Sequence, residues 1–269
     1  MGENSQEQVL SLNMRIALVG AGNVASCMAG ALKSAGHTIE CVYSRTEESA
    51  RTLADALGVP YVTRIEDIPS AQCLILMLRD DALLQLAGRI VATHPDALLL
   101  HTSGSVPMSV LSDAGARHCG VLYPMQTFSK GKTIEWSSVP IFIEASGSNE
   151  LERVRELASS LSESVQVLDS DQRCKLHLAA VFACNFSNRM YAISEQLLQE
   201  CGISFNVMSP LIAETAAKSA VMSPEKAQTG PAVRGDRRVM EMHKALLAEY
   251  PEWQRLYELI SEDINNSYK

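Results

Sequence analysis

Three small residues near the start of the chain have a spacing with chemical consequences. Gly20, Gly22 and Ala25 follow the short apolar run 14–19 and lead into a helical pattern from Asn23 to Ala35. Glycine at the first position permits a tight turn, glycine at the second lets a backbone approach a pyrophosphate, and a small third residue allows close helix–strand packing. Free amides at the helix start favour an anion. The stretch predicts a dinucleotide site, although the same glycines could simply form a tight turn.

The end of the second predicted strand, Thr38 to Tyr43, bears on which nicotinamide cofactor would fit. In NAD-binding units an acidic residue about 20 positions beyond the glycines accepts the ribose 2′-hydroxyl. Ser44 and Arg45 occupy that place here. A hydroxyl and a guanidinium would bind a 2′-phosphate, which a carboxylate would repel. We therefore expect NADP, with NAD as the less favoured cofactor; a solvated arginine at a helix start is the alternative, because two glutamates follow.

A helical pattern from 173 to 200 carries polar side chains within an apolar stretch. Residues 176–186 are apolar nearly all round, which predicts a buried helix. His177 and Asn185 interrupt this run eight positions apart, on one face of an α-helix. A histidine can exchange a proton with a carbonyl oxygen, and an asparagine can hold that oxygen. We expect both to be catalytic; a core histidine with a helix–helix hydrogen bond is the structural alternative.

Two loops could add polar groups to such a site. Residues 101–105, His-Thr-Ser-Gly-Ser, leave a predicted strand and are rich in hydrogen-bond donors. Ser103 is therefore a third catalytic candidate, and a capped turn explains this loop equally well. The glycine- and proline-containing loop 228–236 could present Arg234 to a substrate carboxylate. Arg234 could also pair with Asp236 and order the loop.

Strand and helix patterns alternate through the first part of the chain. This alternation predicts an α/β fold with a doubly wound, mostly parallel Rossmann sheet. In such a sheet, ligands lie beyond the carboxyl ends of the strands. The residues that we expect there as cofactor ligands are Gly20, Ala21, Gly22, Asn23, Val24, Ser44, Arg45, Leu78 and His101.

Beyond residue 168 the patterns become entirely helical. We therefore expect a dinucleotide-binding domain over 13–168 and an all-α substrate and dimerisation domain over 169–269. Long apolar helices need covering, which predicts a homodimer through this second domain. The first thirteen residues are polar and are expected to form a frayed tail.

Composition limits the classes of partner. The 269 residues are 46% hydrophobic, enough for one large or two medium domains. A net charge of −8 without a basic block argues against nucleic acid and anionic membranes as partners. No apolar run could span a bilayer, and no signal-peptide pattern precedes the first strand. The seven cysteines form no C-x-x-C pair and no metal-site spacing, so we expect a cytoplasmic protein without a metal.

Taken together, these motifs resemble a known family. The chain is similar to the Rossmann-like oxidoreductases with a helical C-terminal domain of unknown function, relatives of pyrroline-5-carboxylate, ketopantoate and prephenate-type reductases and dehydrogenases. The resemblance covers nearly all of residues 13–265. The segments that carry it are 20–25, 44–45, 101–105, 123–128, 177–185 and 229–236.

The resemblance implies an NADP-binding domain followed by a dimerising helical domain, and it supplies no substrate. Hydroxyacid dehydrogenases of the wider superfamily often use a lysine and an asparagine one helical turn apart. Here Lys175 has Ala179 at that spacing, so the chain departs from their pattern.

The resulting hypothesis is an NADP-dependent oxidoreductase that transfers hydride to or from a small carbonyl, imine or hydroxy-acid-type substrate. His177 would exchange the proton, Asn185 and Ser103 would orient the substrate, and Arg234 would hold an anionic group. A non-catalytic NADP-binding redox sensor or regulatory protein is the rival interpretation. A weaker third is a carrier of another nucleotide, with the glycine loop binding only a phosphate.

Overall fold

The computed structural model describes residues 13–268. The expected frayed tail therefore falls almost entirely outside the described residues. The chain forms two compact units, the first ending at Val181 and the second beginning at Phe182. The helix Ser170–Ala180 belongs to the first of these units. The division into functional domains near residue 168 stays a prediction.

Strands and helices alternate along the first unit. Its elements are β1 (Arg15–Val19), α1 (Asn23–Ser34), β2 (Thr38–Tyr43), α2 (Glu47–Leu57), β3 (Tyr61–Val62), β4 (Cys73–Leu76), α3 (Asp80–Thr93), β5 (Leu98–His101), α4 (Ser109–Ser112), β6 (Cys119–Pro124), β7 (Ile141–Ala145), α5 (Ser148–Ser159), β8 (Val165–Val167) and α6 (Ser170–Ala180).

The strands form one eight-stranded sheet with the order β3-β2-β1-β4-β5-β6-β7-β8. The order reverses between β1 and β4, which creates the crevice where doubly wound sheets bind their ligands. Neighbouring strands are parallel except for β6 and β7, which run antiparallel with Gly120 opposite Ala145 and Pro124 opposite Ile141. The predicted α/β class with a mostly parallel sheet is therefore confirmed.

The central strands are apolar along their whole length because helices cover both faces of the sheet. In β1, Ile16 and Leu18 pack into one hydrophobic core, while Ala17 and Val19 pack into a second core on the opposite face. All four side chains are fully buried. This two-sided core fixes the carboxyl ends of the strands, where ligand-binding loops are expected.

The second unit is helical. A π-helical segment, Val181–Phe186, spans the boundary between the units. The second unit then contains α7 (Ser187–Glu200), α8 (Ser209–Val221), α9 (Pro224–Ala227), α10 (Pro231–Arg234), α11 (Arg237–Leu246) and α12 (Pro251–Ser267). No helix among residues 13–268 is both long enough and apolar enough to cross a membrane.

Two expectations for the run 173–200 are wrong. Residues 181–186 form wider π-helical turns, so the spacing from His177 to Asn185 is not that of a regular α-helix. The apolar stretch is also not buried within the chain, since Phe182 and Phe186 are 62% and 49% exposed. An apolar pattern on every side of a helix predicts that other protein surfaces pack against it. The pattern does not indicate whether those surfaces belong to the same chain or to a second one.

Candidate active site

Gly20 makes the turn from β1 towards α1. Its φ angle of 123° lies in the region that favours glycine. A Cβ atom at Gly20 would lie 2.3 Å from the carbonyl oxygen of Met77, at the end of the neighbouring strand β4. Its N–H donates a hydrogen bond of 2.8 Å to the carbonyl oxygen of Tyr43. Gly20 is therefore required by the turn itself, before any ligand binds.

Gly22, unlike Gly20, has free space where a side chain would be. It is exposed, and a Cβ at this position would have no neighbour within 4 Å. It is also the N-cap of α1 and provides no side-chain cap, so the first amides of the helix are free to bind an anion. The side chain of Asn23 is already engaged, because its Nδ2 donates to the carbonyl oxygen of Phe128 at 3.0 Å. The group of Asn23 that remains available to bind a ligand is therefore its backbone N–H.

A cleft of about 820 Å³ begins at this glycine loop and extends along the ends of β2 and β4. Seven of the nine predicted cofactor ligands line it: Gly20, Ala21, Gly22, Asn23, Ser44, Arg45 and Leu78. Val24 and His101 are not part of its lining. Arg45 is exposed at the end of β2, which is the position that the sequence assigned to a 2′-phosphate.

His101 is completely buried at the end of β5. Its Nδ1 accepts a hydrogen bond of 3.3 Å from the Ser103 N–H. Burial, followed by the positive charge of Arg173, lowers the pKa of His101 to about 3, and Asp80 and the Pro107 carbonyl oppose this only in part. His101 is therefore neutral at physiological pH. Its contacts shape the loop, and cofactor binding by His101 stays a prediction.

Ser103 is held within the same loop. Its hydroxyl donates to the Asp80 carboxylate at 2.8 Å and accepts from the Val106 N–H at 3.0 Å. Ser105 donates to the other oxygen of Asp80 at 2.5 Å. Asp80 begins α3, whose first turns line the cleft, so these bonds tie the loop to the cofactor site. The Ser103 hydroxyl therefore both donates and accepts a hydrogen bond within the protein. Its catalytic role stays a prediction.

The structure pairs His177 with Tyr123, a contact that sequence reasoning missed. The Tyr123 hydroxyl lies 3.1 Å from Nδ1 of His177, and the rings meet edge to face. Both rings pack against Gly104, where a Cβ would lie 2.6 Å from Nδ1 of His177 and 2.9 Å from Cζ of Tyr123. Burial raises the pKa of Tyr123, and Arg173 offsets this in part. The pair lies at the carboxyl end of β6, beside the loop that follows β5.

A buried ion pair fixes the helix that carries His177. Arg173 is 1% exposed and binds the Glu144 carboxylate on β7. It also donates to the Val106 carbonyl at 2.7 Å, while the Ser170 hydroxyl donates to both Glu144 oxygens. Arg173 and His177 are one helical turn apart, so the contacts of Arg173 with Glu144 and Val106 fix the position of His177. Residues 170, 173 and 177 are spaced so that they lie on one face of α6, which the sequence could have indicated. Nothing in the sequence indicated that Arg173 is buried.

The other two predicted site residues belong to the second unit. Asn185 lies in the π-helical segment and is exposed, and Arg234 is exposed at the end of α10. Among the described residues Arg234 forms no ion pair with Asp236, whose carboxylate instead accepts the Val239 N–H at 3.2 Å and caps α11. The structural alternative for Arg234, an ion pair within its loop, is therefore not realised.

Comparison with known proteins identifies the family of the chain. The model of the family described as NADP oxidoreductase coenzyme F420-dependent matches residues 15–101, and that of the domain of unknown function DUF2520 matches residues 139–264. The Bacteroides fragilis protein named putative NADP oxidoreductase BF3122 is 46% identical, with a TM-score of 0.90 over 94% of this chain and 98% of that chain. No curated protein matches the chain significantly.

More distant structures share the fold. The Thermotoga maritima protein TM1727 is 21% identical, with a TM-score of 0.73 over 92% of this chain and 99% of that chain. Prephenate dehydrogenase from Aquifex aeolicus, in complex with hydroxyphenyl propionate and NAD+, is 15% identical, with a TM-score of 0.58 over 94% and 96%.

The near-complete match at 46% identity places the chain in the family of NADP oxidoreductases that join this N-terminal domain to a DUF2520 domain. The family predicted from the sequence motifs is confirmed, and so is NADP as the expected cofactor. The residues present fit NADP: the glycine loop leaves room for a pyrophosphate, α1 offers free amides, and Ser44 and Arg45 line the cleft at the end of β2.

Proposed function

We propose that this NADP oxidoreductase transfers hydride to or from a small carbonyl, imine or hydroxy-acid-type substrate. The observation that carries the proposal is the Tyr123–His177 pair. β1, β4, β5 and β6 are neighbours in the sheet. With strands about 4.8 Å apart, the end of β6 lies roughly 14 Å from the glycine loop. A proton-carrying pair at that place suits a substrate held beside the nicotinamide.

NADPH, when bound, supplies the hydride. The protein must then supply a proton to the substrate oxygen or nitrogen. Tyr123 suits this task because a tyrosine hydroxyl keeps its proton near neutral pH and can donate it once the substrate atom gains negative charge. Burial raises the pKa of Tyr123, so the hydroxyl stays protonated until the substrate reacts. His177 lies 3.1 Å from that hydroxyl and can replace the proton through Nδ1. In the oxidising direction the same two groups would accept the proton.

The remaining roles follow the sequence interpretation. Ser103 and Asn185 would orient the substrate, and Arg234 would hold an anionic group. Residues 13–168 would bind the nucleotide, and residues 169–269 would serve substrate binding and dimerisation. The exposed apolar side chains of the helical unit, Leu211 and Leu246 among them, support a homodimer because water-exposed apolar surface favours association. We place the enzyme in the cytoplasm.

Cofactor selectivity is tested first, by titrating the purified protein with NADPH and with NADH and following nicotinamide fluorescence. We expect tight binding of NADPH and weak binding of NADH. In Arg45→Ala the affinity for NADPH should fall at least about tenfold, while that for NADH stays unchanged, because the lost charge faces the 2′-phosphate. Failure of the wild type to bind either nucleotide would end the oxidoreductase assignment.

Catalysis is tested with His177→Ala, assayed by NADPH oxidation against a panel of keto acids and imines. Turnover should be lost while the affinity for NADPH stays nearly intact, since His177 does not line the cofactor cleft. Unchanged turnover would remove His177 from the mechanism. NADPH binding by a wild type that reduces no compound of the panel would favour the redox-sensor function, which has no need of the Tyr123–His177 pair.

A further inference from the structure

The connection between β6 and β7, residues 125–140, is hydrogen-bonded to the first turns of α1. We call it the strap. The Phe128 carbonyl accepts the Asn23 side chain at 3.0 Å, and the next carbonyl along, that of Ser129, accepts Sγ–H of Cys27 at 3.5 Å. Phe128 stacks on Trp136, with ring centroids 5.6 Å apart, and Trp136 is buried in the core. The strap is therefore held at one end by hydrogen bonds to α1 and towards its other end by the burial of Trp136.

A tight turn at the tip of the strap presents two lysines differently. The Lys132 N–H donates to the Ser129 carbonyl at 3.3 Å, and Gly131 between the lysines has φ 77°. Lys130 lines the nucleotide cleft together with the glycine loop. Lys132 lines a separate hollow of about 520 Å³ with Cys27 and Trp136. Two lysines only two positions apart thus face different surfaces.

The charges of the cleft single out Lys130. Five basic side chains line it: Arg45, Arg64, Arg79, Arg89 and Lys130. Three of these are matched by acids, since Arg79 lies 3.3 Å from Asp81, Arg89 lies 2.5 Å from Glu66, and Arg64 lies 3.8 Å from Glu66. Arg45 and Lys130 have no acidic partner within 4 Å in the described part of the chain. The cleft therefore holds two uncompensated positive charges, one at the end of β2 and one beside the start of α1.

We propose that Lys130 binds the pyrophosphate of the nicotinamide nucleotide and that the strap acts as a clamp on the cofactor. The proposal rests on the assignment of NADP as cofactor. The strap is tied to Asn23 and Cys27, so Lys130 is held at the helix end where a pyrophosphate binds. Arg45 lines the same cleft at the end of β2, where it would bind the 2′-phosphate. The ammonium group of Lys130 supplies a point charge on a flexible stem, which suits a phosphate that also accepts backbone amides.

The test is calorimetric titration of the full-length protein with three probes. NADPH and NADH both contain the pyrophosphate, whereas adenosine 2′-monophosphate contains only the phosphate assigned to Arg45. In Lys130→Ala, the dissociation constants of NADPH and NADH should both rise about tenfold, as expected for a lost charge-assisted hydrogen bond. The dissociation constant of adenosine 2′-monophosphate should not change. The affinity of this variant for NADPH should also depend less on salt than that of the wild type.

Lys132→Ala is the matched control, because it removes the same charge from the same turn without touching the cleft. It should bind all three probes as the wild type does. Equal affinities of Lys130→Ala and wild type for NADPH would overturn the proposal, as would a loss for adenosine 2′-monophosphate without one for NADH. If the wild type binds none of the probes, the cofactor assignment fails and the proposal fails with it. Thermal melting of each variant verifies that the exposed substitutions leave the fold intact.

Discussion

The hydroxyl of Tyr123 lies 3.1 Å from Nδ1 of His177, which joins the end of β6 to helix α6. The second unit contains a similar pair far along the chain, with Nδ1 of His243 at 3.0 Å from the hydroxyl of Tyr257. Both pairs meet edge to face. Within residues 13–268, the first pair alone packs against a glycine, Gly104, and it lies at the carboxyl ends of the strands, where sheets of this type bind ligands. The two pairs therefore provide an internal comparison between a proposed catalytic contact and a structural one.

Tyr123→Phe removes the hydroxyl and keeps the ring. Turnover should fall about 100-fold or more, the usual contribution of a positioned acid or base. The dissociation constant of NADPH should stay the same, because Tyr123 does not line the cofactor cleft. Tyr257→Phe removes the equivalent hydroxyl from the other pair and should leave turnover unchanged. Full activity of Tyr123→Phe would mean that the proton comes from another group.

Gly104→Ala tests whether the pair needs its present geometry. The added methyl would lie 2.6 Å from Nδ1 of His177, so one of the rings must move. We expect a loss of turnover and a destabilisation of about 1–3 kcal/mol from overpacking. Gly88→Ala, on α3, places a methyl in open space and should be neutral or slightly stabilising. Thermal melts and NADPH oxidation distinguish the two, and normal turnover in Gly104→Ala would contradict the packing argument.

The two glycines of the nucleotide loop should respond differently to alanine. Gly20→Ala forces a side chain into a backbone with φ 123° and against the Met77 carbonyl, so the melting temperature should fall sharply. Gly22→Ala meets nothing in the protein, and its φ of −82° suits alanine, so the fold should hold. Its methyl would instead stand where the pyrophosphate approaches and should weaken NADPH binding. Circular-dichroism melts with parallel fluorescence titrations measure both effects; an equally stable Gly20→Ala would show that the turn can rearrange.

His101 should make the protein sensitive to acid. Its pKa is about 3 when folded, against an ordinary value of 6.5. Between these values the unfolded chain binds one proton more than the folded one, so the free energy of unfolding falls as the pH drops from 6.5 towards 3. The slope from this group is at most about 1.4 kcal/mol per pH unit, and it vanishes above pH 6.5. Urea denaturation of wild type and His101→Asn at pH 7.5, 5.5 and 4.5 should give a shallower acid loss in the variant. Parallel profiles would refute this role.

Local features of the fold could be predicted from the sequence because they depend on neighbouring residues. The bounds of β2 agree at both ends with the predicted strand Thr38 to Tyr43, and the glycine spacing located the turn after β1. Ser44 and Arg45 were placed at the cleft because the end of a buried strand fixes where the next residues emerge. Strand direction was harder to predict, since nothing in the pattern of β7 distinguishes it from a parallel strand.

Long-range partners were not predictable in this way. Tyr123 and His177 are 54 positions apart, and no periodic signal connects them. The ion pair of Arg173 and Glu144 was not predictable either. Charged residues are ordinarily found at the surface, so nothing in the sequence predicted the burial of Arg173. His37, which follows the end of α1, is likewise buried through a partner that is distant in the sequence. It is 5% exposed and hydrogen-bonded to Ser160 at 2.9 Å.

The antiparallel pairing of β6 with β7 has a practical consequence for recombining this protein with its relatives. The DUF2520 match begins at residue 139, yet β7 and β8 complete the sheet of the first unit. A fragment ending at residue 138 would leave β6 as a bare, apolar edge, which invites strand-to-strand aggregation. A chimaera that exchanges helical units should therefore be spliced near residue 181, where the compact unit ends. The evolutionary module and the folding module of this chain have different borders.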